Sequence, residues 1–242
     1  MSRLLILIWV GIFVVGCQST KNQPSDQDLQ LAQTALTNGH PDNALEIYKQ
    51  KLKQNPNDAQ LLFLAGNACN QAARYDEALH YLTKGSALAP SSEFDRELGR
   101  AHLAIGNIQL AESKLFDAVE TNKMDDVALN SLGVAYSLQK DYIKARDAFK
   151  SAINIRPDSV EYRNNLALGW LLDGRPEQSI QILYPIYSRG EATSKMRLNL
   201  ALSYASSGKL DAAKTIASAE LSRSELESTL FYYQTLAKQG IH

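Results

Sequence analysis

Thiol, metal or acid–base chemistry in this sequence would fall to Cys17, Cys69 and the histidines at 40, 80, 102 and 242. Metal capture needs several such donors at ligand spacing, and these are scattered. No HExxH occurs, and two cysteines are too few for a four-cysteine site. His40 falls in a turn and His80 within a helix, while His102 and Cys69 share one helical position with Tyr136. That position suits packing, with Cys69 as a small buried hydrophobe. Nucleophile elbows (GxSxG), GxGxxG turns and P-loops are missing from the sequence. Acidic pairs such as Asp125-Asp126 are expected to cap or solvate helix ends. The expectation is a protein that is not an enzyme, with no catalytic residues, no metal, no cofactor and no small-molecule substrate.

Cys17 is different because of what precedes it. Arg3 supplies one positive charge, and residues 4–15 form an uncharged apolar run. Twelve residues of helix measure about 18 Å, too short for a hydrocarbon core of about 30 Å. The order of charge, apolar run and small residue reads as a cleavable signal peptide. Val14-Val15-Gly16-Cys17 resembles a bacterial lipobox, with Val14 where Leu is more frequent. That resemblance implies removal of residues 1–16 and a thioether-linked lipid on Cys17. Several acyl chains, each contributing about 0.8 kcal/mol per buried methylene, hold a protein at a membrane where one chain does not. Gln18 stands where an Asp would favour inner-membrane retention, so the resemblance implies the periplasmic face of the outer membrane. The polar stretch 18–26, QSTKNQPSD, has no apolar periodicity and reads as a flexible tether.

A formal net charge of -1, from 25 Lys+Arg against 26 Asp+Glu, offers no basic field for nucleic acid. The chemistry therefore has to come from shape, and the remaining sequence repeats. The pairs Leu31-Ala32, Ala65-Gly66, Leu98-Gly99, Leu132-Gly133, Leu166-Ala167 and Leu200-Ala201 recur at 33 or 34 residues. Three more tracks keep the same register. One is small: Ala44, Ala78, Ala111, Ala145, Ser179, Ala213. One is bulky: Tyr48, Leu82, Leu115, Phe149, Leu183, Ala217. One closes the unit: Pro56, Pro90, Lys123, Pro157, Glu191, Glu225. Proline at three of those six ends stops a helix. Asn38-Gly39, Gly106-Asn107, Asp173-Gly174 and Ser207-Gly208 are helix terminators inside the unit, and Asp158-Ser159 offers an N-cap.

This unit resembles the tetratricopeptide repeat (TPR), a helix–turn–helix hairpin. The resemblance implies an all-α, right-handed solenoid of six repeats over residues 25–227, at 25–58, 59–91, 92–125, 126–159, 160–193 and 194–227. Residues 17–24 carry the lipidated cysteine and tether. A helix over 225–239, with Leu226, Leu230, Tyr233 and Leu236 at helical spacing, would cover the end of the stack. In this family the second, fifth, ninth and twelfth positions of each unit line a concave groove. Carried over, those positions include Phe63, Asn67, Asn70, Arg96, Arg100, Leu103, Asn130, Val134, Asn164, Leu168 and Leu171. Asparagines there could pair with peptide amides, Arg96 and Arg100 could hold a carboxylate, and Phe63 and Leu168 offer apolar pockets.

The combination of lipobox, polar tether and repeats is similar to the TadD-like proteins of the tight-adherence (Flp) pilus. The similarity is carried by Asn164-Asn165-Leu166-Ala167-Leu168-Gly169 with Asp173-Gly174-Arg175, and by Arg197-Leu198-Asn199-Leu200-Ala201-Leu202 with Ser207-Gly208-Lys209. It implies a pilotin or scaffold whose partners are other pilus or secretion proteins, above all an outer-membrane secretin. The six-repeat pilotins of type IV pili are the second family with this order. An adaptor lipoprotein that recruits envelope proteases or cell-wall hydrolases is the third.

Overall fold

The computed structural model describes residues 26–222 together with 224, 225, 228 and 229. The proposed signal peptide, Cys17, the tether and nearly all of the expected helix over 225–239 lie outside the described residues. Among the described residues the chain is all-helical. It forms α1 (Asp26–Thr37), α2 (Pro41–Gln54), α3 (Ala59–Gln71), α4 (Tyr75–Leu88), α5 (Ser92–Ala104) and α6 (Ile108–Thr121). It continues with α7 (Asp126–Leu138), α8 (Tyr142–Ile155), α9 (Val160–Leu172), α10 (Pro176–Ser188), α11 (Ser194–Ser206) and α12 (Leu210–Ala217). None of these helices is long and apolar enough to cross a membrane.

The helices form six hairpins, each packed on the next. Within every hairpin the turn is made the same way. One residue takes a left-handed conformation, at Gly39, Ala73, Gly106, Lys140, Gly174 and Gly208 in succession. The amide of the following residue then reaches back to a carbonyl five residues earlier. Asp141 N donates to Tyr136 O at 2.9 Å, and Lys209 N donates to Tyr204 O at 2.8 Å. This is a Schellman closure, which satisfies carbonyls that a helix end leaves orphaned. Ala73 at φ 57° and Lys140 at φ 64° adopt it despite their Cβ atoms.

Between hairpins, side chains start the next helix. Asp58, Asp125, Ser159 and Thr193 accept from the amides of Leu61, Ala128, Tyr162 and Met196. Where the closing proline is missing, other residues stop the helix. The Asn122 side chain accepts from Met124 N at 3.1 Å beside Lys123. Gly190, at φ 75°, ends the fifth unit before Glu191.

The sequence tracks turn out to be contacts. A Cβ on Gly66, Gly99 or Gly133 would lie 2.5, 2.5 and 2.6 Å from Leu82, Leu115 and Phe149, so the bulky track sits on the glycine track. Such close approach brings two helix backbones together at the seam of each hairpin. The small track is fully buried from Ala44 to Ala213. Its one polar member, Ser179, pairs with Ser203 Oγ at 2.8 Å in the next hairpin.

Candidate protein-interaction groove

The first helix of each hairpin also touches the first helix of the next, from α3 to α5, α7, α9 and α11. Second helices show no comparable contact with one another. The first helices therefore stand on the tighter, inner side of the curve, and their free faces form its floor.

At the N-terminal side of this floor Phe63 is partly exposed and meets Phe94 edge to face, with centroids 5.3 Å apart. Both rings line a cleft of about 450 Å³ between α3 and the α4–α5 loop, with Gln60, Pro90 and Glu93 at its rim. Asn67 is partly exposed and accepts from Gln71 Nε2 at 2.7 Å. Asn70 donates to the backbone carbonyl of Glu97 and to its carboxylate, both at 3.0 Å. Its own Oδ1 is buried and has no partner.

Arg96 and Arg100 are not a vacant clamp. Glu97, only 1% exposed, lies between them. It receives Arg96 Nε at 3.0 Å and Arg100 Nη1 at 2.9 Å, while Arg96 Nη1 reaches Asp125 Oδ2 at 2.8 Å. Burial disfavours the Arg96 cation, but the Glu97 and Asp125 carboxylates outweigh it and raise its pKa above the ordinary value. The carboxylates these arginines hold are the chain's own. Two cations and two anions cancel, so this stretch offers an incoming anion little net field. Arg100 is the more accessible of the two, its side chain 38% exposed.

Leu103 and Val134 are partly exposed, and each packs against a buried cluster that Tyr136 also covers. Leu168 is also partly exposed, while Leu171 is buried. Asn130 and Asn164 are buried as well, each committed to the next hairpin. Asn165 Nδ2 donates to Asn130 Oδ1, and Asn199 Nδ2 donates to Asn164 Oδ1, both at 2.9 Å. These amides lock one repeat to the next instead of facing a ligand. The accessible set is thus Phe63, Asn67, Arg100, Leu103, Val134 and Leu168, an apolar and amide surface with one free-edged guanidinium.

One buried polar cluster escaped the sequence reading. Asp126 does not solvate a helix end: it is buried and accepts from the Tyr162 hydroxyl at 2.6 Å and Arg156 Nε at 2.9 Å. Burial, reinforced by that bond, raises the Tyr162 pKa above its usual value. The signal for this contact is the spacing of 36 residues between Asp126 and Tyr162, close to one repeat. Cys69 is fully buried, and burial pushes its thiol up to about 11. His102, at the equivalent position, has a buried Nδ1 without a partner, and burial followed by the Lys114 charge lowers its pKa. Among the described residues no cluster of His, Cys, Asp or Glu could hold a metal ion.

A family model described as "Tetratricopeptide repeat" matches residues 71–127 and again 96–160, and one described as "Anaphase-promoting complex, cyclosome, subunit 3" matches residues 12–85. The array is a tetratricopeptide-repeat solenoid. Human tetratricopeptide repeat protein 21A is 23% identical over 197 residues, which cover 71% of this chain and 15% of that protein. The chain thus spans only a small part of this curated relative. The solved structure of PilW, described as a widely conserved type IV pilus biogenesis factor, superposes with a TM-score of 0.74 at 18% identity, covering 86% of this chain and 99% of PilW. MamA superposes with a TM-score of 0.55 at 25% identity, covering 66% of this chain and 95% of MamA. Stacked hairpins of this kind present an extended concave surface.

Proposed function

We propose that this protein is a TPR scaffold held by lipid on Cys17 at the periplasmic face of an outer membrane, where it serves pilus or related secretion assembly. Its role in that setting is to promote assembly or stability of an outer-membrane secretin, as a pilotin does. Contact does the work: a segment of the partner lies along the accessible inner faces of α3, α5, α7 and α9. The observation that supports this best is the length of the match to PilW. Six hairpins of this chain span 99% of a pilus biogenesis factor, and they follow a lipobox-like cysteine. Phe63 and Leu168 supply apolar anchors, and the partly exposed Asn67 offers an amide to a peptide backbone. The tight-adherence and type IV pilus systems both use a secretin, and the Asn164–Gly169 and Arg197–Leu202 similarities speak for the former.

Deleting the gene tests this. Heat-resistant secretin multimers should fall on a gel while the secretin transcript stays level; unchanged multimers would overturn the proposal. Cys17→Ala should abolish lipid labelling and outer-membrane fractionation, and persistent membrane attachment would overturn the anchor.

A further inference from the structure

At the junction of the fourth and fifth hairpins the Arg156 guanidinium lies 5.9 Å from the centre of the Tyr162 ring. Asp126, at the start of α7, accepts from Arg156 Nε at 2.9 Å and from the Tyr162 hydroxyl at 2.6 Å. A ring, a carboxylate and an arginine close that junction. The junction of the second and third hairpins keeps the ring and lacks the other two. Two repeats before Tyr162 stands Phe94, two before Arg156 stands Leu88, and two before Asp126 stands Ala59. Leu88 is 49% exposed. What remains at this junction is the cleft of about 450 Å³, walled by Ala59, Phe63, Pro90 and Phe94.

Glu93 is the one charged side chain that lines this cleft, and it is exposed. The Ser92 hydroxyl donates to its Oε2 at 3.3 Å. Hydrogen bonds from the Ser91 hydroxyl and from its own amide hold the Glu93 carboxyl below its ordinary pKa. The cations beside this junction are taken elsewhere. Arg96 is held by Glu97 and Asp125, Lys114 by Asp95 at 2.8 Å, and Lys84 by the Pro56 carbonyl at 2.6 Å. An anion at the mouth of an aromatic cleft complements a cation with an apolar stem. Arginine fits best, because its planar guanidinium stacks on a ring and meets a carboxylate in a fork. The array uses this combination itself at Trp170: the Arg146 guanidinium lies 4.1 Å from the ring centre, and its Nη1 reaches Asp173 Oδ2 at 2.6 Å.

We infer that this cleft takes an arginine side chain of the partner segment, with the guanidinium on Glu93 and the stem against Phe63, Phe94 and Pro90. The incoming arginine does at this junction what Arg156 does two repeats later. The inference rests on the reading that a partner segment lies along the first helices, and it names the side chain that the segment places at the Phe63 anchor.

Selection from a displayed library of random linear peptides on the full-length protein in detergent tests it. Arginine should be enriched at one position of the selected peptides. In a binding titration, changing that arginine to lysine should weaken a selected peptide about three- to tenfold. Glu93→Gln should weaken the same peptide about two- to fivefold, the worth of one exposed ion pair. Leu88→Arg returns an arginine to the register of Arg156, and the chain's own guanidinium should then compete with the peptide and weaken it about tenfold. Both substituted side chains are exposed, so the variants should keep the wild-type Tm, which separates a filled cleft from a lost fold. Selection of no peptide, or of peptides with no arginine preference, overturns the inference. Arginine peptides whose binding neither Glu93→Gln nor Leu88→Arg changes overturn it equally. Secretin multimers are not read in this test, so its failure is distinguishable from failure of the scaffold role.

Discussion

Gly133 lies under the ring of Phe149: a Cβ built on Gly133 would stand 2.6 Å from Phe149 Cε1. One helix crosses the other at this point because the first has no side chain there. The same relation holds for Gly66 with Leu82 and Gly99 with Leu115. A helix-interior glycine costs about 1 kcal/mol relative to alanine, so three such residues in register mark a packing requirement.

Gly133→Ala should therefore destabilise the protein. The propensity gain of about 1 kcal/mol is opposed by overpacking of about 1–3 kcal/mol against a buried phenylalanine. Gly169→Ala is the control of opposite sign. Its Cβ would meet Arg146 Cγ at 3.6 Å and Phe149 Cε2 at 3.7 Å, ordinary contact distances. Urea denaturation should place the first below wild type and the second above it. Equal midpoints would mean the seam tolerates a methyl group at both.

The left-handed turns predict a gain. Ala73 and Lys140 hold positive φ angles that the other four turns assign to glycine. Replacing either by glycine should stabilise by about 0.5–1 kcal/mol, relief of left-handed strain exceeding the extra chain entropy of glycine. A raised Tm for each single variant is the check, and a lowered Tm would show that the side chains contribute more than the turns lose.

At the seam between the fifth and sixth hairpins, Ser203 donates to the Asn199 carbonyl at 2.8 Å while Ser179 shares its oxygen. Both serines are fully buried. Ser203→Ala leaves the Ser179 hydroxyl stranded and should cost about 1–3 kcal/mol, whereas the double variant Ser179→Ala with Ser203→Ala should be nearly neutral. A double-mutant cycle measures the coupling. Additive losses would separate the two residues.

Cys69 predicts a reactivity pattern. Its thiol is inaccessible, and burial pushes its pKa up to about 11. In lipidated protein, where Cys17 is blocked, a thiol reagent near neutral pH should label nothing until denaturant is added, then one group per chain. Fast labelling of folded protein would contradict the burial of this helix face.

Much of the architecture is legible in the sequence because packing in a repeat forces side-chain size to recur. The glycine and bulky tracks are visible as separate periodicities, and their contact follows only from the fold. Ala73 and Lys140 are illegible for a simple reason: a left-handed backbone leaves no mark on residue type when glycine is not used. Arg96 and Arg100 suggest an anion clamp by spacing, yet the intervening Glu97 folds inward and takes both. Asn130 and Asn164 are likewise at groove positions by count, but the asparagines one repeat plus one residue later draw them into the seam. Polar residues at repeating positions carry an ambiguity that apolar ones do not, since a neighbour a full repeat away decides whether they face ligand or core.

Contact through the inner groove is tested most directly by Phe63→Ala combined with Leu168→Ala, two partly exposed anchors whose truncation leaves the buried seams intact. Secretin multimers should be quantified in cells carrying this variant at wild-type protein levels. A fall towards the level of the deletion strain is expected if the groove holds the partner. Multimers as abundant as in wild-type cells would contradict it.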